Sequence, residues 1–207
     1  GGEIGYSAVT DINGNLFVTG QTAAANFPVQ NAGTFFQGTY GGGGSDAFIL
    51  KFDNSGIRLW ATYYGGSNYD EAYSISKDGS GNIFVTGVTL SANFPVQTAG
   101  GFFQGTLGGG NDVFILKFDN TGNRLWATYY GGSGNEDGYA VAADGNGNVF
   151  VTGKTASANF PLQNSGTFYQ GTLGGGMADI FILKFNSFCT RQWATFYGGS
   201  GNESGCS

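Results

Sequence analysis

Gly14-Asn-Leu-Phe-Val-Thr-Gly20 returns as Gly81-Asn-Ile-Phe-Val-Thr-Gly87 and again as Gly147-Asn-Val-Phe-Val-Thr-Gly153. The two steps are 67 and 66 residues, and self-similarity at a fixed period is the mark of a repeat architecture. A residue present in all three copies is therefore structural first. Function is expected in what breaks the repeat, or in a surface that several copies build together.

Outward from that heptad, each copy contains four strand-like stretches, and the second copy is typical. Tyr73 to Asp78 is followed by Asp-Gly-Ser-Gly-Asn, a cluster that closes hairpins, and then by Ile83 to Thr89. A long connection leads to Asp112 to Asp119, which turns through Asn120-Thr121-Gly122-Asn123 into Arg124 to Tyr130. In the third stretch Phe114, Leu116 and Phe118 alternate with Ile115 and Lys117. One face is thus wholly apolar and the other partly so, and both require cover. A four-stranded antiparallel sheet covered on both faces by copies of itself is a propeller blade. The expected fold is all-β, a β-propeller-type array of three four-stranded blades, each with a long loop between its second and third strands. The boundaries read as 1–66, 67–132 and 133–199, with 200–207 as the start of a partial fourth repeat or a C-terminal cap. A β-trefoil is the rival for three repeats, but this period is long for it and its strands bury one face.

Composition agrees with many short strands and tight turns: 40 glycines and 16% aromatic residues stand against one Met and three Pro. Helix is expected to be almost absent. No stretch approaches the ~18 apolar residues of a membrane span, so a soluble protein, or a soluble piece of one, is expected, without membrane insertion. No basic start followed by an apolar run is present to serve as a secretion signal. Eight Lys and Arg against fourteen Asp and Glu give a net charge of −6. That balance leaves a nucleic acid or an anionic membrane no electrostatic footprint. With no histidine, the commonest general base and metal ligand are both missing.

The run Tyr139-Ala-Val-Ala-Ala-Asp-Gly-Asn-Gly-Asn-Val-Phe-Val-Thr-Gly153, then Asn159-Phe-Pro-Leu-Gln163, Asp179-Ile-Phe-Ile-Leu-Lys-Phe185 and Ala194-Thr-Phe-Tyr-Gly-Gly-Ser200, resembles the SBBP family of bacterial β-propeller repeats. The resemblance implies the fold and an extracellular or bacterial cell-surface setting. It carries no common reaction, and hence no catalytic residue. Three blades with open end faces predict pairing into six blades, membership of a longer array, or addition end to end into a fibre.

The charges follow the repeat. Asp11, Asp78 and Asp144 are one position; Asp46, Asp112 and Asp179 another; Lys51, Lys117 and Lys184, Arg58, Arg124 and Arg191, and the row Glu3, Asp70, Glu136 and Glu203 are others. Glu71, Lys77, Asp137 and Lys154 break the pattern and read as too scattered for an active site, so no enzyme is expected. The turns at Asp11, Asp78 and Asp144 faintly resemble calcium loops. Calcium takes about six to eight oxygens with several carboxylates, so an Asx-stabilised hairpin is the favoured reading and no cofactor is expected. The Glu3 to Glu203 row reads as carboxylates accepting backbone N–H groups of the Gly-rich link.

Two cysteines, Cys189 and Cys206, stand where other copies carry Gly122 and Tyr139. Such a pair suggests a disulfide in an oxidising compartment. In a simply continued array the two would lie beyond the roughly 7 Å reach of a bridge. A segment turning back near Tyr197 and Gly198 brings them together; two free or intermolecular thiols are the alternative.

The long loops repeat Asn-Phe-Pro-Val/Leu-Gln and Phe-Phe/Tyr-Gln-Gly-Thr. Their aromatics either fold the loop onto its own blade or form a sugar platform with Asn26, Gln30 and Gln37, Asn93, Gln97 and Gln104, and Asn159, Gln163 and Gln170. Trp60, Trp126 and Trp193 hold one position in the fourth strand and read as blade-packing core. The expected function is a non-enzymatic secreted or surface array that supports adhesion or self-assembly, its partner being itself or further repeats. A lectin-like module that binds glycans weakly without calcium is the alternative.

Overall fold

A computed structural model describes residues 2–166 and 168–203. It contains twelve strands, and no helix among the described residues: β1 (Glu3–Thr10), β2 (Leu16–Thr22), β3 (Asp46–Phe52), β4 (Arg58–Tyr64), β5 (Asp70–Lys77), β6 (Ile83–Thr89), β7 (Asp112–Phe118), β8 (Arg124–Tyr130), β9 (Glu136–Ala143), β10 (Val149–Thr155), β11 (Asp179–Phe185) and β12 (Arg191–Tyr197). They form three antiparallel sheets in chain order, β1 to β4, β5 to β8 and β9 to β12. The architecture is that of a β-propeller-type repeat array, as the periodicity implies.

The innermost strands converge. β1 packs on β5 and β5 on β9, and serine hydroxyls join them: Ser7 Oγ accepts from Ile75 N (3.3 Å), and Ser74 Oγ from Val141 N (3.2 Å). Cover on both faces is complete only in the middle blade, where β6 and β7 are buried throughout. In β10 and β11 alternate residues lose that cover, because among the described residues no blade lies over the face carrying Phe150 and Ile182. In blade 1 the opposite face is the open one, with Leu16, Leu50 and Phe52 only partly covered.

The tryptophan row joins neighbouring blades. Trp126 is fully buried, lies 5.2 Å from Phe185 of the next blade and donates to Phe102 O (3.0 Å). Trp60 stacks on Phe118 at 6.5 Å. Trp193, in the last sheet of the described residues, is only partly buried. The repeated cations make the same connection. Lys51 Nζ donates to Asn120 O (2.8 Å), and Lys117 Nζ to Ser187 O (3.0 Å). Arg124 reaches back to Tyr64 Oη (3.0 Å) and lies 4.4 Å over the Phe35 ring; Arg191 does the same with Tyr130 and Phe102.

Cys189 occupies a turn position with φ 59°, where the preceding copy has Gly122 at φ 93°. It is a buried thiol between the second and third blades, its carbonyl accepting Phe102 N (2.9 Å). Burial pushes its pKa up to about 11. Among the described residues it is a free cysteine; the bridge expected with Cys206 falls on a residue outside the described ones.

Candidate functional site

The loop glutamines close the outer edge of each blade. Gln30 pairs with Ala61 through two backbone bonds, 2.8 and 3.0 Å, and Gln97 and Gln163 do the same with Ala127 and Ala194. An outer strand left bare would present unpaired N–H and C=O groups, and this short pairing covers them. The side-chain amides are committed as well. Gln97 donates to Arg124 O (3.0 Å) and accepts Arg124 Nε (2.9 Å). Gln104 donates to Thr106 O and Asp112 Oδ2 and accepts Gly131 N. Gln30, Gln37, Gln163 and Gln170 keep matching bonds in their own blades. The three asparagines are exposed; Oδ1 of Asn93 and of Asn159 accepts the N–H and hydroxyl of Ser67 and of Ser133.

The loop aromatics divide into three roles. Phe27, Phe94 and Phe160 lie on Phe48, Phe114 and Phe181 of their own blades, with centroids 4.8 to 4.9 Å apart. Phe35 and Phe102 sit between blades, against Tyr64 and Phe118 and against Tyr130 and Phe185. Phe36, Phe103 and Tyr169 stay outside, each about two-fifths exposed.

The turn aspartates satisfy their own hairpins. Asp78 accepts Ser80 N, Asn82 N and Asn82 Nδ2 at 2.7 to 2.9 Å; Asp11 and Asp144 repeat the pattern. The Asn148 amide, then the backbone N–H groups of Asn148 and Asn146, hold the Asp144 carboxyl below its ordinary value.

The link between blades carries a feature that reading the two acidic rows separately misses. Asp70 and Glu136 do accept backbone N–H groups, from Gly66 (2.7 Å) and Gly132 (2.8 Å). They also accept the hydroxyls of Thr89 and Ser91, and of Thr155 and Ser157. Each then meets a second buried carboxyl. Asp112 Oδ1 and Glu136 Oε2 both lie 2.5 Å from the point where a Cβ on Gly131 would stand. Around Gly65 the corresponding pair is Asp46 and Asp70. All four acids are fully buried, and only glycine fits between them. Asp112 Oδ2 accepts Gln104 Nε2 (2.7 Å) and Gly108 N (2.9 Å), which ties the long loop to the sheet. Oδ1 of Asp46, Asp112 and Asp179 has no partner. Burial first, and then the facing carboxylate, push Asp112 to about 6 and Asp46 to about 7, against the lowering N–H groups of Gly108 and Gly41. Burial likewise raises Asp70 to about 6. A proton on the unpartnered oxygen removes the repulsion within the pair.

Of the four charges outside the repeat, the structure pairs two. Asp137 pairs with Lys154 at 2.9 Å, and Glu71 and Asp137 each accept the hydroxyl of the tyrosine two residues on, Tyr73 and Tyr139. Asp137 and Lys154, 17 residues apart in sequence, are thus in contact across one strand pair. Residues 66 apart in sequence become neighbours when successive blades stack.

Two segments, residues 59–95 and 125–161, match the model of the SBBP family, a β-propeller repeat. Each runs from an outer strand, through the link with its buried acid, to the long loop of the next sheet. Among curated proteins the chain is similar to the uncharacterized WD repeat-containing protein L264 of Acanthamoeba polyphaga mimivirus, 28% identical over 68% of this chain and 10% of that protein. It is also similar to the regulatory protein FlaEY of Caulobacter vibrioides, 24% identical over 56% of this chain and 12% of that protein. The chain thus spans about a tenth of the length of these relatives. Residues 59–95 and 125–161 are SBBP-type β-propeller repeats, set in a three-sheet array that continues the same pattern on either side.

Proposed function

We propose that this chain is a non-enzymatic interaction array of an extracellular or bacterial cell-surface protein, and that it associates end to end through its blade faces. The observation that supports this is the correspondence of the two faces. On the middle blade, Phe84, Ile115, Trp126 and Tyr130 are buried under the next blade. On blade 3 their counterparts Phe150, Ile182, Trp193 and Tyr197 are partly or largely exposed, and Phe168, Ile182, Trp193 and Tyr197 line a cleft of about 370 Å³. At the other end, blade 1 leaves open the face that β5 to β8 use to pack on their predecessor. A second copy brings to the cleft the same kind of surface that blade 3 presents to blade 2. The contact is head-to-tail, and whether it closes a ring or extends a filament depends on the rotation per blade.

The test is sedimentation velocity with negative-stain electron microscopy at low and high concentration. Association that grows with concentration and is weakened at least tenfold by Trp193→Asp is the expected result. A chain that stays monomeric at 100-fold higher concentration overturns the reading. A second reading, weak glycan binding, draws on the exposed Phe36, Phe103 and Tyr169. It has to do without the six loop glutamines already bonded within the chain, and a silent glycan array at high protein density removes it.

A further inference from the structure

Each innermost strand carries one bulge, and each bulge carries a tyrosine. The pairing of β1 skips from Gly5 to Ser7, that of β5 from Ala72 to Ser74, and that of β9 from Gly138 to Ala140, leaving Tyr6, Tyr73 and Tyr139 unpaired. A bulge re-aims the side chain of its extra residue. The three rings form a row, with centroids 5.4 Å apart for Tyr6 and Tyr73 and 6.1 Å for Tyr73 and Tyr139. Two residues before the second and third tyrosines stand acids, Glu71 and Asp137. Tyr73 Oη donates to Glu71 Oε2 (2.9 Å), and Tyr139 Oη to Asp137 Oδ2 (3.3 Å).

The two acid–tyrosine pairs differ in one respect. In blade 3 the residue paired with Asp137 across the ladder is Lys154, whose ammonium lies 2.9 Å from Asp137 Oδ2 and 5.8 Å from the centre of the Tyr139 ring. In blade 2 the residue in register with Glu71 is Val88. Glu71 then has the hydroxyls of Tyr73 and Ser45 for partners (2.9 and 3.4 Å) and makes no ion pair among the described residues. Burial, and then the charge of Glu71, raise the pKa of Tyr6, so its phenol stays protonated. Tyr6 is 41% exposed, and its hydroxyl accepts Gln21 Nε2 (3.1 Å).

We propose that Tyr6, Tyr73 and Glu71 form a binding site for an organic ammonium ion, the cation being a lysine-like side chain of a partner or a free alkylamine. The same carboxylate-and-ring arrangement in blade 3 is already filled by the chain's own ammonium. In blade 2 the carboxylate of Glu71 and the partly exposed ring of Tyr6 have no ammonium among the described residues, because the buried Val88 holds the place of Lys154. A cation near an aromatic face gains from the ring quadrupole, and the facing carboxylate adds charge pairing. A net charge of −6 favours approach of a cation from solution. The site lies on the innermost strands, apart from the end faces, and does not depend on end-to-end association.

The experiment is a titration with n-butylammonium at neutral pH, read from the tyrosine ring resonances by NMR. Saturable shifts at Tyr6 and Tyr73 are expected, with Tyr139 little affected, and with affinity falling as salt is raised. Glu71→Gln should weaken binding at least tenfold while the amide spectrum stays folded. Val88→Lys, which supplies an ammonium from within as Lys154 does, should abolish it; if that variant misfolds, the Glu71→Gln comparison alone decides. Butanol at equal concentration separates the free ligand's charge from its chain, and should produce no saturable shift. The absence of saturable shifts at Tyr6 and Tyr73, or equal affinity in Glu71→Gln, overturns the proposal.

Discussion

Stability of this protein should fall as pH rises from about 4 to 7, the reverse of ordinary acid denaturation. The groups responsible are Asp46, Asp70 and Asp112, whose folded-state values are raised from 3.8 to about 7, 6 and 6. A carboxyl raised on folding is protonated in the native state while still ionised in the unfolded chain. Between the two values the native state therefore binds more protons, and stability is lost as pH climbs through that window. Asp112, at 0% exposure, is the cleanest single case: a shift of about two units corresponds to about 3 kcal/mol. Below pH 4 the trend should reverse. There Asp11, Asp119 and Asp144, each lowered within its hairpin, begin to lose their hydrogen bonds to protonation. Asp112→Asn imitates the protonated form. Its carbonyl still accepts Gly108 N and Gln104 Nε2, and its amide turns N–H toward Glu136 where Oδ1 has no partner. The variant should be more stable than the parent at pH 8, by about 1 to 3 kcal/mol, with the advantage falling to about half of that at pH 5. Urea unfolding followed by tryptophan fluorescence at the two pH values measures both. Parental stability that rises from pH 5 to 8, together with loss of stability in Asp112→Asn at pH 8, would refute the shared-proton reasoning.

Two further predictions address the packing. Trp126→Ala removes a fully buried ring from between the second and third blades and leaves Phe102 O without its donor, so it should cost about 3 to 5 kcal/mol by urea denaturation; a cost below about 1 would mean that the blades are not held there. Gly131→Ala places a methyl 2.5 Å from both Asp112 Oδ1 and Glu136 Oε2, and should lower the melting temperature far more than Gly145→Ala, whose Cβ meets nothing within 4 Å; equal melting temperatures for the two would mean that the link is not closely packed.

What was legible in the sequence, and what was not, follows from which interactions are periodic. Ile83 to Thr89 and Arg124 to Tyr130 read as strands to the residue, because apolar alternation and bounding turn residues agree there. β5 begins at Asp70 rather than at Tyr73 because the bulge at Tyr73 breaks the alternation, so the preceding Asp-Glu-Ala does not continue the pattern. Reading each row of the repeat by itself hid the acid pairs. Asp112 and Glu136 are ordinary within their own rows, and only the return of the chain into the next blade brings them to opposite sides of Gly131.

The cations show the same logic from the other side. Lys51, Lys117, Arg124 and Arg191 recur because each reaches into a neighbouring blade, and so they are structural, as recurrence implies. Glu71 and Asp137 hold one position that the first copy fills with Ile4, and Lys154 stands where the other copies have Gln21 and Val88. A propeller places equivalent positions of successive blades side by side around its axis, as the tyrosines of the innermost strands show. Departures from a repeat are therefore best compared at equivalent positions of adjacent copies: Val88 against Lys154, each in register with an acid, is the contrast that leaves Glu71 without a cation.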